Sequence, residues 1–128
     1  MKKILIIEDH ADMRELLTWQ VELMGFAALT AKQGSEGLQK AQSETPDLII
    51  LDIMMPGMDG WQAARELKTN VVTKKIPILA ATALFRDTDL KTCMDSGCNG
   101  YIVKPFTFQE LQGKVKELIP AAGDIFPR

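Results

Sequence analysis

Hydrophobic residues in this chain follow two alternating rhythms. Unbroken apolar runs at Ile4-Leu5-Ile6-Ile7, Leu48-Ile49-Ile50-Leu51 and Ile78-Leu79-Ala80-Ala81 have the pattern of strands covered on both faces in a parallel sheet. Two weaker runs, Phe26 to Ala31 and Gly100 to Val103, supply two more strands, the first of them nearer an edge. Between the strands, apolar positions recur at helical spacing. A first helix presents Met13, Leu16, Leu17, Val21 and Met24 in one stripe, stops at Gly25 and leaves Trp19 well off that stripe, open to a docking role or to none. A short second helix, about Ser35 to Gln42, has Leu38 and Ala41 to bury and Gly37 inside it, and so is expected to be the least stable element.

Asp59 with Gln62 three residues on resembles a capping box for a third helix, which runs to about Thr69 with Ala63, Ala64 and Leu67 inward. A fourth helix carries Leu90 and Met94 and stops at Gly97. Thr107 and Glu110 cap a fifth, with Phe108, Leu111, Val115 and Leu118 inward and Gly113 inside. Five strands alternating strictly with five helices predict an α/β fold, a doubly wound parallel sheet with right-handed crossovers and helices on both faces.

Composition adds bounds. The 128 residues suit one domain with a full core, expected over residues 1–119, with 120–128 a short C-terminal tail. The net charge of −2 is unevenly placed: residues 1–60 carry −5 and residues 61–128 carry +3. The bases never form a run, so no nucleic-acid surface is expected, and the excess of acid falls near the first and third strands. No secretory signal or membrane span fits, which favours a cytoplasmic protein. Cys93 and Cys98 match no metal or redox spacing and are expected to be free structural thiols.

Chemistry gathers at the strand ends. Glu8 and Asp9 end the first strand, Asp52 the third, Thr82 the fourth and Lys104 the fifth, and a parallel sheet puts all these ends on one edge, where ligands bind. Three carboxylates there repel one another unless a cation holds them ionised, and a hard divalent ion with few protein ligands suits Mg²⁺ better than Ca²⁺. A hydroxyl, an ammonium and a metal converging on one carboxylate can stabilise a phosphoryl group, with Asp52 as the nucleophile of an acyl phosphate. His10, at a helix start, is expected to be a surface residue.

Taken together, Glu8-Asp9, Asp52 with Met55-Pro56-Gly57-Met58-Asp59-Gly60, Thr82-Ala83, and Tyr101 three before Lys104-Pro105 resemble the receiver domain of two-component response regulators, essentially end to end. The form is that of a single-domain chemotaxis-Y-like or stand-alone cell-cycle-regulator-like protein, or of a receiver cut from a longer regulator or hybrid kinase. The resemblance implies a flavodoxin-like sheet of order 2-1-3-4-5 and phosphorylation of Asp52 by a histidine kinase or a histidine phosphotransfer protein. It implies Mg²⁺ held by Glu8, Asp9, Asp52 and the backbone carbonyl of Met54. It further implies that Thr82 and Lys104 grip the phosphoryl oxygens and that Tyr101 is an aromatic switch for a downstream protein target. Such a protein is a signalling phosphoacceptor, not an enzyme beyond its own phosphoryl transfer and slow dephosphorylation, and a monomer or weak dimer.

Two rivals fail on single residues. A haloacid-dehalogenase-like phosphatase needs a second aspartate two residues after the first, where this chain has Met54. A flavodoxin-like cofactor binder needs a hydroxyl-rich phosphate loop after strand one, where Glu8-Asp9-His10-Ala11-Asp12 would repel phosphate.

Overall fold

Aliphatic runs with no polar side to turn to water form the middle of the molecule. The computed structural model describes residues 1–54, 60–83 and 86–119. In chain order the elements are β1 (Lys3–Ile7), α1 (Ala11–Leu23), β2 (Ala27–Ala31), α2 (Gly34–Glu44), β3 (Leu48–Asp52), α3 (Gly60–Thr69), β4 (Ile78–Thr82), α4 (Asp87–Asp95), β5 (Gly100–Val103) and α5 (Phe108–Leu118). All strand pairs are parallel and the sheet order is β2-β1-β3-β4-β5, so the doubly wound 2-1-3-4-5 architecture is the observed one. The two weaker strands lie at the edges.

Because side chains alternate along a strand, each run divides between two cores. Leu5, Ile7, Ile49, Leu51, Ile78 and Ala80 face a cluster with Ala41 of α2, Ala63, Ala64 and Leu67 of α3 and Cys93 of α4. Ile4, Ile6, Leu48, Ile50, Leu79 and Ala81 face Leu17 and Val21 of α1 and Leu111 and Val115 of α5. Among the described residues no helix is long and apolar enough to cross a membrane.

Helix ends follow the glycines. Gly25 at φ +94° closes α1, with Gly25 N–H donating to Glu22 O (3.0 Å) and Phe26 N–H to Val21 O (3.3 Å). Gly97 at φ +103° closes α4 in the same way, through Gly97 N–H to Met94 O (3.0 Å) and Cys98 N–H to Cys93 O (3.3 Å). Both are Schellman motifs, which satisfy helix carbonyls by a left-handed turn that glycine adopts without a steric cost. The Thr107–Glu110 capping box is present in both directions, at 3.1 Å and 2.8 Å.

Several helical positions differ from the expected stripes. Leu16 is 44% exposed and joins Trp19 and Leu23 on the outer side of α1, while Gln20 is buried in its place. Met94 of α4 is exposed and Cys93 buried, because the stripe that meets the sheet is set by where the helix lands and not by size alone. Phe108 and Leu118 are only half-buried beside Leu111 and Val115. Phe26 is buried but precedes β2. The capping residue expected for α3, Asp59, lies outside the described residues.

The second helix is the largest correction. It runs from Gly34 to Glu44, longer than expected, and its buried residues are Gly34, Gly37 and Ala41. A Cβ at Gly37 would stand 2.4 Å from Ile7 Cδ1 and 2.8 Å from Ile7 Cγ1. This glycine is therefore a packing device that lets α2 lie against β1, whereas Gly113 of α5 is exposed with no neighbour that an added Cβ would meet within 4 Å. Gly113→Ala should raise stability by about 1 kcal/mol. Gly37→Ala should lower it despite the same gain in helix propensity, because overpacking a filled core costs about 1–3 kcal/mol. Urea unfolding of the two variants checks the contrast, and a stabilised Gly37→Ala would refute it.

Candidate functional site

Strand register brings the functional ends together. Ile7 is level with Leu51, so Glu8 follows beside Asp52. Asp52 is level with Ala81, and Thr82 with Val103, so Thr82 lies one step and Lys104 two steps further along the same edge. Alternation then sorts the side chains. Glu8 and Asp52 are two residues beyond Ile6 and Ile50, on the α1–α5 side, whereas Thr82 is two beyond Ala80, on the α3–α4 side.

Glu8 and Asp52 are buried, at 2% and 5% exposure, and Lys104 lies between them. The Lys104 Nζ is 3.3 Å from Glu8 Oε1 and 3.4 Å from Asp52 Oδ1. Backbone N–H groups complete the shell: His10 donates to Glu8 Oε2 (3.1 Å) and Met54 donates to Asp52 Oδ1 (3.1 Å). The Lys104 N–H donates to Thr82 O (2.8 Å), which ties the end of β5 to that of β4, and the Lys104–Pro105 peptide is cis. Carboxylate oxygens of Glu8, Asp9 and Asp52 all lie within 4.8 Å of one another. With Asp12, Met54, Ala83 and Lys104 they line an open cleft of about 460 Å³.

One ammonium does not offset this density of acid. The Glu8 carboxyl is pushed up to about 7, first by burial and then by its hydrogen bond with Asp52 and the Asp52 charge. The His10 N–H and the Lys104 charge pull it back only in part. In chemical terms Glu8 and Asp52 are a crowded carboxyl pair short of positive charge. Hard oxygen donors from three carboxylates at this spacing fit a divalent cation.

Sequence reasoning passed over Arg14. Its guanidinium Nη1 donates to Glu8 O (2.9 Å) and Asp9 O (3.3 Å), so α1 reaches back to hold the loop that carries both acids. Its place one turn into a helix that follows an acidic pair is the signal that was available. His10 is exposed as expected, and the site uses its backbone N–H and not its ring. Thr82 is buried, at 1% exposure, one step beyond the level of Asp52. Tyr101 is not in the cleft: it is half-buried against the α3–α4 core, level with Ala80, with Lys114 Nζ 5.7 Å from its ring centroid. Met55, Pro56, Gly57, Met58 and Asp59 lie outside the described residues.

Known proteins resemble the chain throughout. The response regulator receiver domain family matches residues 4–116. The chain is 41% identical over 114 residues to the transcriptional regulatory protein HprR of Escherichia coli (strain K12), covering 89% of this chain and 50% of that protein. It is 36% identical over 118 residues to the alkaline phosphatase synthesis transcriptional regulatory protein PhoP of Bacillus subtilis (strain 168), covering 92% and 48%. The chain thus spans about half the length of the curated relatives it matches. Among solved structures, the Vibrio cholerae chemotaxis protein CheY4 superposes with a TM-score of 0.88 at 29% identity, over 92% of this chain and 98% of that one. The receiver domain of the sensor histidine kinase PA1611 of Pseudomonas aeruginosa, solved with a magnesium ion coordinated in its active site cleft, gives 0.86 at 28% identity, over 93% and 98%.

The raised Glu8 carboxyl makes a stability prediction for the metal-free protein. Between about 4.5 and about 7 the folded state holds a proton that the unfolded chain releases. The Glu8 contribution to stability is therefore full below that window and is lost as pH rises across it through about 7, by at most about 3.5 kcal/mol at about 1.4 kcal/mol per unit. Urea unfolding in a chelator should show the decline, and Glu8→Gln should flatten it. An equal slope in the variant would remove Glu8 as the cause.

Proposed function

The chain belongs to the response-regulator receiver domain family, and on that premise we propose that Asp52 is its phosphoacceptor, modified by a histidine kinase or a histidine phosphotransfer protein of a two-component pathway. The observation that carries the assignment is the placement of a buried strand-end carboxylate against Lys104 and Glu8 in one open cleft. In the reaction an Asp52 carboxylate oxygen attacks the phosphorus of a phosphohistidine. The P–N bond breaks, the imidazole keeps its electron pair and takes a proton, and an acyl phosphate remains on Asp52.

Each residue has a task in this scheme. Lys104, already against Asp52 Oδ1, follows the new charge and bonds a phosphoryl oxygen. The Met54 N–H orients the other reacting group, the Asp52 carboxylate itself. Glu8, Asp9 and Asp52, with the Met54 carbonyl, would hold Mg²⁺, which would supply charge neutralisation to the phosphoryl oxygens. Thr82 donates its hydroxyl to the phosphoryl group from the neighbouring strand. Its shift toward the site vacates space on the α4 side, into which Tyr101 turns from under Lys114, changing the face made by α4, β5 and α5 for a downstream protein target.

Magnitudes make the switch graded. Moving a two-state equilibrium from 1:99 to 99:1 takes roughly 5.5 kcal/mol, and one to three new bonds to a charged group supply roughly 1.5–3 kcal/mol each. The cation–π contact of Lys114 with Tyr101 opposes the turn by about 0.5–1 kcal/mol. The receiver unit acts in the cytoplasm as a monomer or weak dimer. It is a signalling domain and not an enzyme for external substrates.

Asp52→Asn tests the assignment. It should abolish labelling by a small-molecule phosphodonor in Mg²⁺ while keeping the circular dichroism of the wild type. Its melting temperature in chelator should hold or rise, since one of three crowded acids is gone. A stable phosphorylated product in the variant would refute the role.

The lifetime of the phosphorylated form is a second test. The residues two after Asp52 and two after Thr82 flank the path of an attacking water; they are Met54, 60% exposed, and Leu84, which lies outside the described residues. Neither can orient water by a hydrogen bond, so the acyl phosphate should be long-lived. Met54→Gln should shorten its half-life by about tenfold, the worth of one hydrogen bond of about 1.4 kcal/mol in the transition state. An unchanged decay rate would count against this account.

A further inference from the structure

We propose that Cys93 and Cys98 form a modification site, a thiol pair that a hydroperoxide closes into an intramolecular disulfide across the C-terminal turn of α4. Their sequence spacing matches no redox motif, but the fold makes them neighbours. The Schellman turn at Gly97 joins their backbones through the 3.3 Å bond from Cys98 N–H to Cys93 O. In this motif the residues at those two positions bring their side chains together. The matching turn of α1 places Val21 and Phe26 there, an apolar pair, whereas α4 places two free thiols, 0% and 4% exposed.

The two sulfurs are not equivalent. Each thiol acts on the other in the opposite sense: Cys98 lowers the Cys93 pKa, and Cys93 raises that of Cys98. The Lys68 stem passes under Gly97, and its charge acts on Cys98. Cys93 is thus the better nucleophile and Cys98 the resolving thiol. Access comes through α4 itself, since Cys93 is the one buried side chain among its described residues, so its last turn can open locally.

The chemistry balances. The Cys93 sulfur attacks the peroxide, the O–O bond breaks, and the departing hydroxide takes the thiol proton as water. The Cys98 sulfur then attacks the sulfenic acid, the S–O bond breaks, and a second water leaves. Two electrons pass from the thiols to the peroxide, and a dithiol reverses the change.

The test uses the whole native chain, treated with hydrogen peroxide, then denatured in N-ethylmaleimide and weighed intact. The expected product is monomeric, lighter by two hydrogens and free of maleimide, and dithiothreitol restores both alkylation sites. In Cys98→Ser, dimedone should trap a sulfenic acid on Cys93. The proposal fails if both thiols still take maleimide after peroxide, if oxygen adducts replace the bridge, or if closure is no faster than global unfolding in the same buffer.

Discussion

Crowded negative charge at one sheet edge is the constraint that organises this protein. Glu8 and Asp52 are buried side by side, and among the described residues one ammonium, that of Lys104, faces both at 3.3 and 3.4 Å. Left to itself such a cluster spreads apart or takes up protons, and the upward shift of Glu8 is the second response. The first is prevented by the backbone. Glu8 N–H is tied to Ala31 O, Ile53 N–H to Ala81 O, and Gly60 N–H to Ile53 O, so the chain leaving each strand is pinned to its neighbour. A Cβ at Gly60 would stand 2.4 Å from Ile53 Cα, which shows how closely α3 is pressed on the exit from β3.

The unrelieved charge is what gives the proposed function its chemistry. A site that holds more acid than its cation offsets is suited to a divalent ion, and under the proposed phosphorylation the ion and the phosphoryl group would be parts of one balance. Family membership supplies the chemical class, and the contacts at the cleft supply the residues proposed for it. Lys104 is preorganised for that role, since it is already in hydrogen-bond range of Asp52.

The sheet also divides tasks between its faces. Glu8 and Asp52 lie on the side covered by α1 and α5, while Thr82 and Tyr101 lie on the side of α3 and α4. In the proposed switch, a change at the cleft would reach the other face through β4 and β5. On that face Cys93 is the one buried side chain among the described residues of α4, with Leu90 half-buried.

Residues alone disclosed the order and kind of the elements, because apolar runs and helical stripes are local patterns. They disclosed the acidic edge too, since any parallel sheet collects its strand ends. Contacts between elements were beyond them. Gly37 looks like a weakness in a helix until Ile7 is found under it, and Arg14 looks like a surface charge until its reach to Glu8 O and Asp9 O is seen. Leu16 and Met94 have core-like side chains but sit outside, because the rotation of each helix about its axis is chosen by packing against the whole sheet. Cys93 and Cys98 are five residues apart on paper and become partners through one left-handed glycine. Local pattern decides what a segment becomes; which atoms finally touch is decided by the shared filling of a core, and that is a property of all the segments at once.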